Sequence, residues 1–364
     1  MLKTLTAATA ILGALVSGAH AADQQIPAQA RRIVIEKADS GYRWNLIEAP
    51  VQQPGDHQVL VRVRAVGLNR ADWEVLDPKN SYGDMTGRIP GSDAAGDIVA
   101  VGKGVQQLRP GERVTSLYFR NWTEGPASKE ILSGAHGFDV DGVLGEYVLL
   151  EETGVVPAPP GLSYQEAATL PTAGLTAFMA TVGQNDVRDR YVLVQGTGGV
   201  SIFALQFAAA AKARVLVTSS SDDKLTFARR LGARDGINYR THPKWSTEVM
   251  TLTAGHGADL VVDVGGKDTL DESVRSLAYG GMLSIVGGLS GYDGSIRAGS
   301  LLNKTANARG IFVGSRADYL RMSKFIAEHR LRPVIDRVFP LDQYATALEY
   351  LRTGSPVGRV VLKL

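Results

Sequence analysis

The sequence predicts an α/β protein in two parts: a β-rich unit ending near residue 160, then a doubly wound parallel sheet. Three observations carry this. Val59, Val61 and Val63 alternate with Arg62 and Arg64, the period of a half-buried strand, within a series of short strands. From residue 191 onward, apolar strands alternate with helices, as in a parallel sheet covered on both faces. Between the two, Val155–Gly161 holds three prolines and reads as a boundary.

In chain order, the first element is a leader. Lys3 and the terminal amine precede an uncharged run, Thr4 to Val16, and Ala19-x-Ala21 stands at signal-peptidase spacing. Residues 1–21 therefore read as a cleaved Sec-type signal peptide, since no twin-Arg precedes the run. The expectation is export, periplasmic or secreted, with a cytoplasmic location if the leader does not function. The apolar run is too short and diluted for a permanent span, so no membrane span is expected after cleavage.

Strands are expected at Arg31–Ala38, Tyr42–Ala49, the Val59 run, Asp97–Gly102, Glu112–Ser116 and Gly145–Glu151, a spacing that suggests a barrel-like unit. Ser163 and Glu166 form a capping box that opens a helix running toward Val182. Then follow strand Tyr191–Gln195, helix Gly199–Ala211, strand Arg214–Thr218 and helix Asp222–Leu231, with Ser221 as cap and Gly232 as stop. Strands Asp259–Val264 and Met282–Val286 flank a helix near Leu270–Ala278. The tail carries helices Asp318–His329 and Leu341–Arg352 and strands Val334–Phe339 and Arg359–Leu362.

Composition removes several chemistries. The 364 residues are 44% hydrophobic and 21% charged, a folded rather than disordered balance, and contain no Cys. Disulfides, iron–sulfur clusters, Cys-based zinc sites and thiol nucleophiles are excluded. The formal charge of +2 gives no pull toward nucleic acid. His57, His136, His242, His256 and His329 are scattered without metal-ligand spacing.

The segment Gln195-Gly196-Thr197-Gly198-Gly199-Val200-Ser201 lies between an apolar strand and a helix, the context of a dinucleotide loop. Gly196 suits the turn, and Gly198 lets a pyrophosphate approach the backbone. Ser201 replaces the usual third Gly, so a wider strand–helix packing is expected. Where NAD binding expects an acid on the ribose 2′-OH, the second strand ends in Thr218-Ser219-Ser220-Ser221, with Lys224 a turn later. Hydroxyls and a cation suit a 2′-phosphate, which favours NADP(H) over NAD(H). Asp222 and Asp223 are expected in the first helical turn instead.

Together, Gly67-Leu-Asn69-Arg-Ala-Asp72, Pro90-Gly91-Ser92-Asp93-Ala-Ala-Gly96, Val101-Gly102 with Pro110-Gly111-Glu-Arg-Val114, Ala168-Thr-Leu-Pro171-Thr172-Ala-Gly174-Leu-Thr176-Ala, and Gly358-Arg359-Val-Val resemble the medium-chain dehydrogenase/reductase superfamily. Within it, the chain is most similar to the zinc-independent alcohol dehydrogenase-like and quinone oxidoreductase-like branch. The resemblance spans residues 31–364. It implies a GroES-like β-rich catalytic domain, residues 31–160 and 315–364, split around a Rossmann domain of residues 161–314. It further implies hydride transfer to or from a nicotinamide, a small-molecule substrate in the interdomain cleft, and a homodimer or homotetramer.

Zinc-containing relatives hold the catalytic metal with a Cys, a His and a Cys. The matching positions here are Asn69, Ser92 and Thr172, none a good zinc ligand, and Asp93 alone cannot hold a metal. No zinc is therefore expected. Residues 119–142 replace the structural zinc lobe with Phe119, Trp122 and Phe138. Asn69 is the candidate donor to the substrate oxygen, and the Tyr118 hydroxyl a candidate proton donor. Ala71 stands where zinc members carry a proton-relaying Ser or Thr. Trp73, Trp122 and Thr172 are the expected substrate-pocket residues. Thr176, Gly196, Gly198, Gly199, Val200, Ser219, Ser220, Lys224, Val286, Gly287 and Arg359 are the expected cofactor-binding residues, Arg359 at the pyrophosphate. Quinone or enone reduction is favoured over alcohol oxidation, because no proton acceptor stands out. The alternative is a non-catalytic nucleotide-binding or interaction protein on the same scaffold.

Overall fold

The computed structural model describes residues 26–79 and 82–364, so the leader expected at residues 1–21 lies outside the described residues. The chain begins with an antiparallel hairpin, β1 (Gln29–Lys37) and β2 (Tyr42–Pro50). The β-rich unit continues with β3 (Gln58–Leu68), β4 (Asp93–Val101), β5 (Arg113–Ser116), β6 (Tyr147–Glu151) and β7 (Val155–Pro157). The parallel unit holds β8 (Tyr191–Gln195), β9 (Arg214–Ser219), β10 (Asp235–Asn238), β11 (Ala258–Asp263), β12 (Leu277–Ile285) and β13 (Asn307–Gly310). Last come β14 (Ile335–Pro340) and β15 (Arg359–Lys363).

The parallel sheet has the order β10-β9-β8-β11-β12-β13, with helices between its strands. Its centre is continuous apolar sequence: Val192, Leu193, Val194, Val261 and Val262 are fully buried. The other sheet has the order β14-β15-β3-β4-β5-β7, with β6 on β3, so it takes strands from both ends of the chain. The helix Arg316–His329 touches both units. Phe325 packs 6.0 Å from Phe178 and 5.8 Å from Phe207, and the Tyr319 hydroxyl accepts a hydrogen bond from Thr115 Oγ1 on β5 at 2.8 Å.

Three expectations need correction. Val155–Gly161 is not purely a boundary: its first three residues are β7, an edge strand on β5 where Pro157 costs no ladder donor. The helix expected from Ser163 to Val182 is broken into a turn (Tyr164–Ala167), a π-helical turn (Leu170–Gly174) around Pro171 and a helix (Leu175–Ala180). The strand expected to begin at Asp97 begins at Asp93. Short or polar elements carried no sequence signal: β10, β13 and the helices Trp245–Leu252 and Ala298–Lys304.

Candidate active site

Asn69 directly follows β3, Ser92 directly precedes β4, Asp93 opens β4, and the π-helical turn brings Thr172 onto Ser92 and Asp93. The three positions matched to zinc ligands therefore meet. Asn69 Nδ2 lies 3.3 Å from Ser92 Oγ, and Ser92 Oγ lies 3.3 Å from Thr172 Oγ1. Both hydroxyls donate to Asp93 Oδ1, from Ser92 at 2.7 Å and from Thr172 at 2.5 Å. The Thr172 N–H donates to Asp93 Oδ2 at 3.1 Å, a bond that a regular helix would not leave free.

Arg359 completes this cluster. It is only 6% exposed, and its Nη2 lies 3.4 Å from Asp93 Oδ2. Burial pushes the Asp93 carboxyl above the ordinary range, while Arg359, then the Thr172 and Ser92 hydroxyls, pull it back down. Arg359 also reaches the phosphate loop. A Cβ on Gly199 would stand 2.6 Å from Arg359 Cδ, so the glycine there makes room for the arginine. The Gly358 N–H donates to the Thr197 carbonyl at 3.0 Å and fixes the approach. Arg359 Nε has no hydrogen-bond partner, a buried donor beside the loop where an anion would sit.

The loop fits a dinucleotide. Gly196 adopts φ +73°, and a Cβ on Gly198 would meet nothing within 4 Å, leaving open space above the backbone. The helix Gly199–Ala210 has no side-chain cap, so no side chain takes up its first-turn N–H groups. By contrast, Ser221 caps the helix Asp222–Arg230. Ser201, in place of the usual third Gly, makes its own contact with the strand. Its hydroxyl is buried and donates to the Gln195 carbonyl at 2.7 Å, tying the helix to β8.

Ser219 ends β9 and is buried, Ser220 is half-buried, and Asp222 and Asp223 occupy the first helical turn as expected. The Lys224 ammonium donates to the Ser355 carbonyl at 2.5 Å, which holds it near the Gly358 segment. Val200, Val286 and Gly287 are half-buried, and Thr176 is buried in the helix after the π turn. Gly287 lines a hollow of about 300 Å³ with Gly266, Lys267 and Tyr292.

Tyr118 is 5% exposed and packs among Phe119, Phe138 and Phe312 at 4.7, 5.6 and 5.8 Å. Burial drives its phenol well above the ordinary value, so it stays protonated. Trp73 is half-buried, with the Arg70 guanidinium 5.7 Å from its ring. Trp122 is not brought to the hydroxyl cluster. It packs against Phe119 and lines a separate hollow of about 470 Å³ with Arg309 and Phe312.

Sequence reasoning missed Asp72. It is 1% exposed, its Oδ2 accepts the Asn69 N–H at 2.6 Å, and its Oδ1 has no partner. Burial pushes its carboxyl up to about 7. Only its position three residues after Asn69 signalled it.

The donor set does not suit zinc. An amide and two hydroxyls replace nitrogen and sulfur ligands, and Asp93 is already taken by Arg359. Among the described residues, no group of three or more His, Cys, Asp or Glu could hold a metal ion. Nor is any helix among them long and apolar enough to cross a membrane.

Residues 55–160 match the alcohol dehydrogenase GroES-like domain, and residues 199–328 match the zinc-binding dehydrogenase domain. A zinc-type alcohol dehydrogenase-like protein of Schizosaccharomyces pombe is 39% identical over 92% of this chain and 99% of its own length. The crystal structure of a putative alcohol dehydrogenase from Sinorhizobium meliloti is 38% identical, with a TM-score of 0.87 over 93% of this chain and 100% of that one. The acryloyl-coenzyme A reductase of Metallosphaera sedula is 27% identical over 91% of this chain and 99% of its own.

Proposed function

The chain belongs to the medium-chain dehydrogenase/reductase superfamily, and from that premise we propose an NADP(H)-dependent, zinc-independent oxidoreductase that moves a hydride between nicotinamide and a quinone, an enone or other carbonyl, or an alcohol. The observation that carries this reading is the placement of Arg359. One buried guanidinium touches the uncapped phosphate-loop helix and the Asn69–Ser92–Thr172–Asp93 cluster together. A bound nicotinamide supplies or accepts the hydride. The chain supplies orientation and a polar centre in which the Asn69 amide donates to the substrate oxygen. Relatives named as alcohol dehydrogenases and as an acryloyl-coenzyme A reductase support carbonyl or enone chemistry over a purely binding role.

Preference for NADP(H) rests on Ser219, Ser220 and Lys224, and on the absence of an acid at the end of β9. A structure named as an NAD-dependent alcohol dehydrogenase, 33% identical, makes this the point to test. Fluorescence titration of the mature chain should show NADPH binding more tightly than NADH. Lys224→Ala should weaken NADPH about tenfold, the effect of losing one charged hydrogen bond, and leave NADH unchanged. Equal weakening of both would remove the 2′-phosphate role. We propose further that the protein works as a homodimer or homotetramer outside the cytoplasm, behind a cleaved leader. Mass spectrometry of the mature N-terminus tests cleavage after Ala21.

A further inference from the structure

We propose that Thr172 and Asp93 form the proton relay of the reaction, with the Thr172 hydroxyl in contact with the substrate oxygen and the Asp93 carboxylate as the proton's store. The proposal rests on the hydride-transfer reading above and deepens it. Three observations support it.

The first is exposure. Within the π-helical turn, Leu170, Pro171, Ala173 and Gly174 are all buried and only Thr172 is half-exposed. Ser92 and Asp93 behind it have no exposed surface. A substrate oxygen arriving beside Asn69 therefore meets the Thr172 hydroxyl, and Asp93 is reached only through it or through Ser92.

The second is bonding. Four donors converge on Asp93: the Ser92 hydroxyl, the Thr172 hydroxyl, the Thr172 N–H and the Arg359 guanidinium. That is the surrounding of an ionised carboxylate, ready to take a proton from a hydroxyl already 2.5 Å away. The third is what the chain lacks. Ala71 has no hydroxyl to relay a proton, and Tyr118, held protonated by burial, is no acceptor.

In alcohol oxidation, the substrate O–H bond breaks as its proton passes to Thr172 Oγ1. Thr172 gives its own proton to Asp93 Oδ1, and the carbon's hydride is taken up by the nicotinamide. Reduction runs the same transfers backward: Asp93 gives its proton to Thr172, and Thr172 protonates the oxygen. Arg359 faces Asp93 from β15 and balances its charge when it is ionised. Asp72 and Tyr319 also feel that charge, from the Asn69 turn and from the tail helix.

The test uses Thr172→Val, which keeps shape and removes the hydroxyl, and Thr172→Ser, which restores it. NADPH binding by fluorescence is measured first, then kcat and KM with an alcohol or carbonyl substrate turned over by the wild type. Thr172→Val should bind NADPH as the wild type does, keep KM within a few-fold, and lose about 100-fold in kcat, the scale of acid–base catalysis. Thr172→Ser should recover kcat to within about fivefold of the wild type. A Thr172→Val enzyme that keeps its kcat, or a Thr172→Ser enzyme as impaired as Thr172→Val, would overturn the relay and leave the hydride-transfer reading standing. Failure of the wild type to bind either nicotinamide nucleotide would overturn that reading and the relay with it.

Discussion

Two buried aspartates, one at the end of a parallel strand and one in the short helix Ala71–Glu74 after β3, are bonded in opposite ways. Asp263 ends β11 in the parallel sheet and is fully buried, with donors on both oxygens. Gly266 N–H and Thr269 Oγ1 reach Oδ1 at 2.9 Å, while Gln195 Nε2 and Ser273 Oγ reach Oδ2 at 3.1 and 2.5 Å. Asp72, beside β3 in the other sheet, has one backbone donor and an oxygen with none. Four donors hold the Asp263 carboxylate in place, whereas burial with one backbone donor pushes the Asp72 carboxyl up to about 7. The saturated acid braces the strand ends of the dinucleotide unit. The starved acid lies against Asn69, at the edge of the Asn69–Ser92–Thr172 cluster.

The comparison can be broken by substitution. Asp263→Ala strips the acceptor from four donors at once and should lower stability by about 3 kcal/mol, read from denaturant unfolding. A loss under about 1 kcal/mol would show that water replaces the carboxylate and that saturation is not what holds the region. Asn69→Ala works on the other side. The backbone N–H to Asp72 survives, so stability should change little, while kcat should fall about 100-fold because a donor to the substrate oxygen is gone. A comparable loss of stability would make Asn69 a turn former only.

The effect of Asp72→Asn depends on pH, and its sign is set by the raised carboxyl. Between the unfolded value near 4 and the folded value of about 7, the folded chain binds the extra proton, so wild-type stability falls as pH rises through that window. An amide carries no such charge yet still accepts the Asn69 N–H. Asp72→Asn should flatten the fall and be more stable than the wild type at pH 8, with the gap closing as the pH drops toward 4. Parallel stability curves for the two proteins would show that Asp72 is ionised throughout.

The sequence made the period-two strands, the capping box at Ser163 and the strand–loop–helix of Gly196–Gly199 legible, because each is a local pattern with a local cause. It also identified the residues that meet at the centre: Asn69, Ser92 and Thr172 as positions lacking metal ligands, Asn69 also as a donor to the substrate oxygen and Thr172 as a pocket residue. It did not show how they bond. The contact of Thr172 with Asp93 spans 79 residues and depends on a π-helical turn that interrupts an otherwise helical pattern. The contact of Arg359 with Asp93 spans 266. Asp72 stayed hidden because burial is a property of the packed chain, not of the letters around it. The same holds for Ser201, whose hydroxyl finds an acceptor six residues back, in the Gln195 carbonyl.

The most direct measurement is NADPH oxidation by the metal-stripped protein against a panel of quinones, enones and ketones. The proposed function predicts turnover with at least one class, undiminished by chelation and faster with NADPH than with NADH. Turnover that appears only when zinc is restored, or only with NADH, or with no member of the panel, would contradict it.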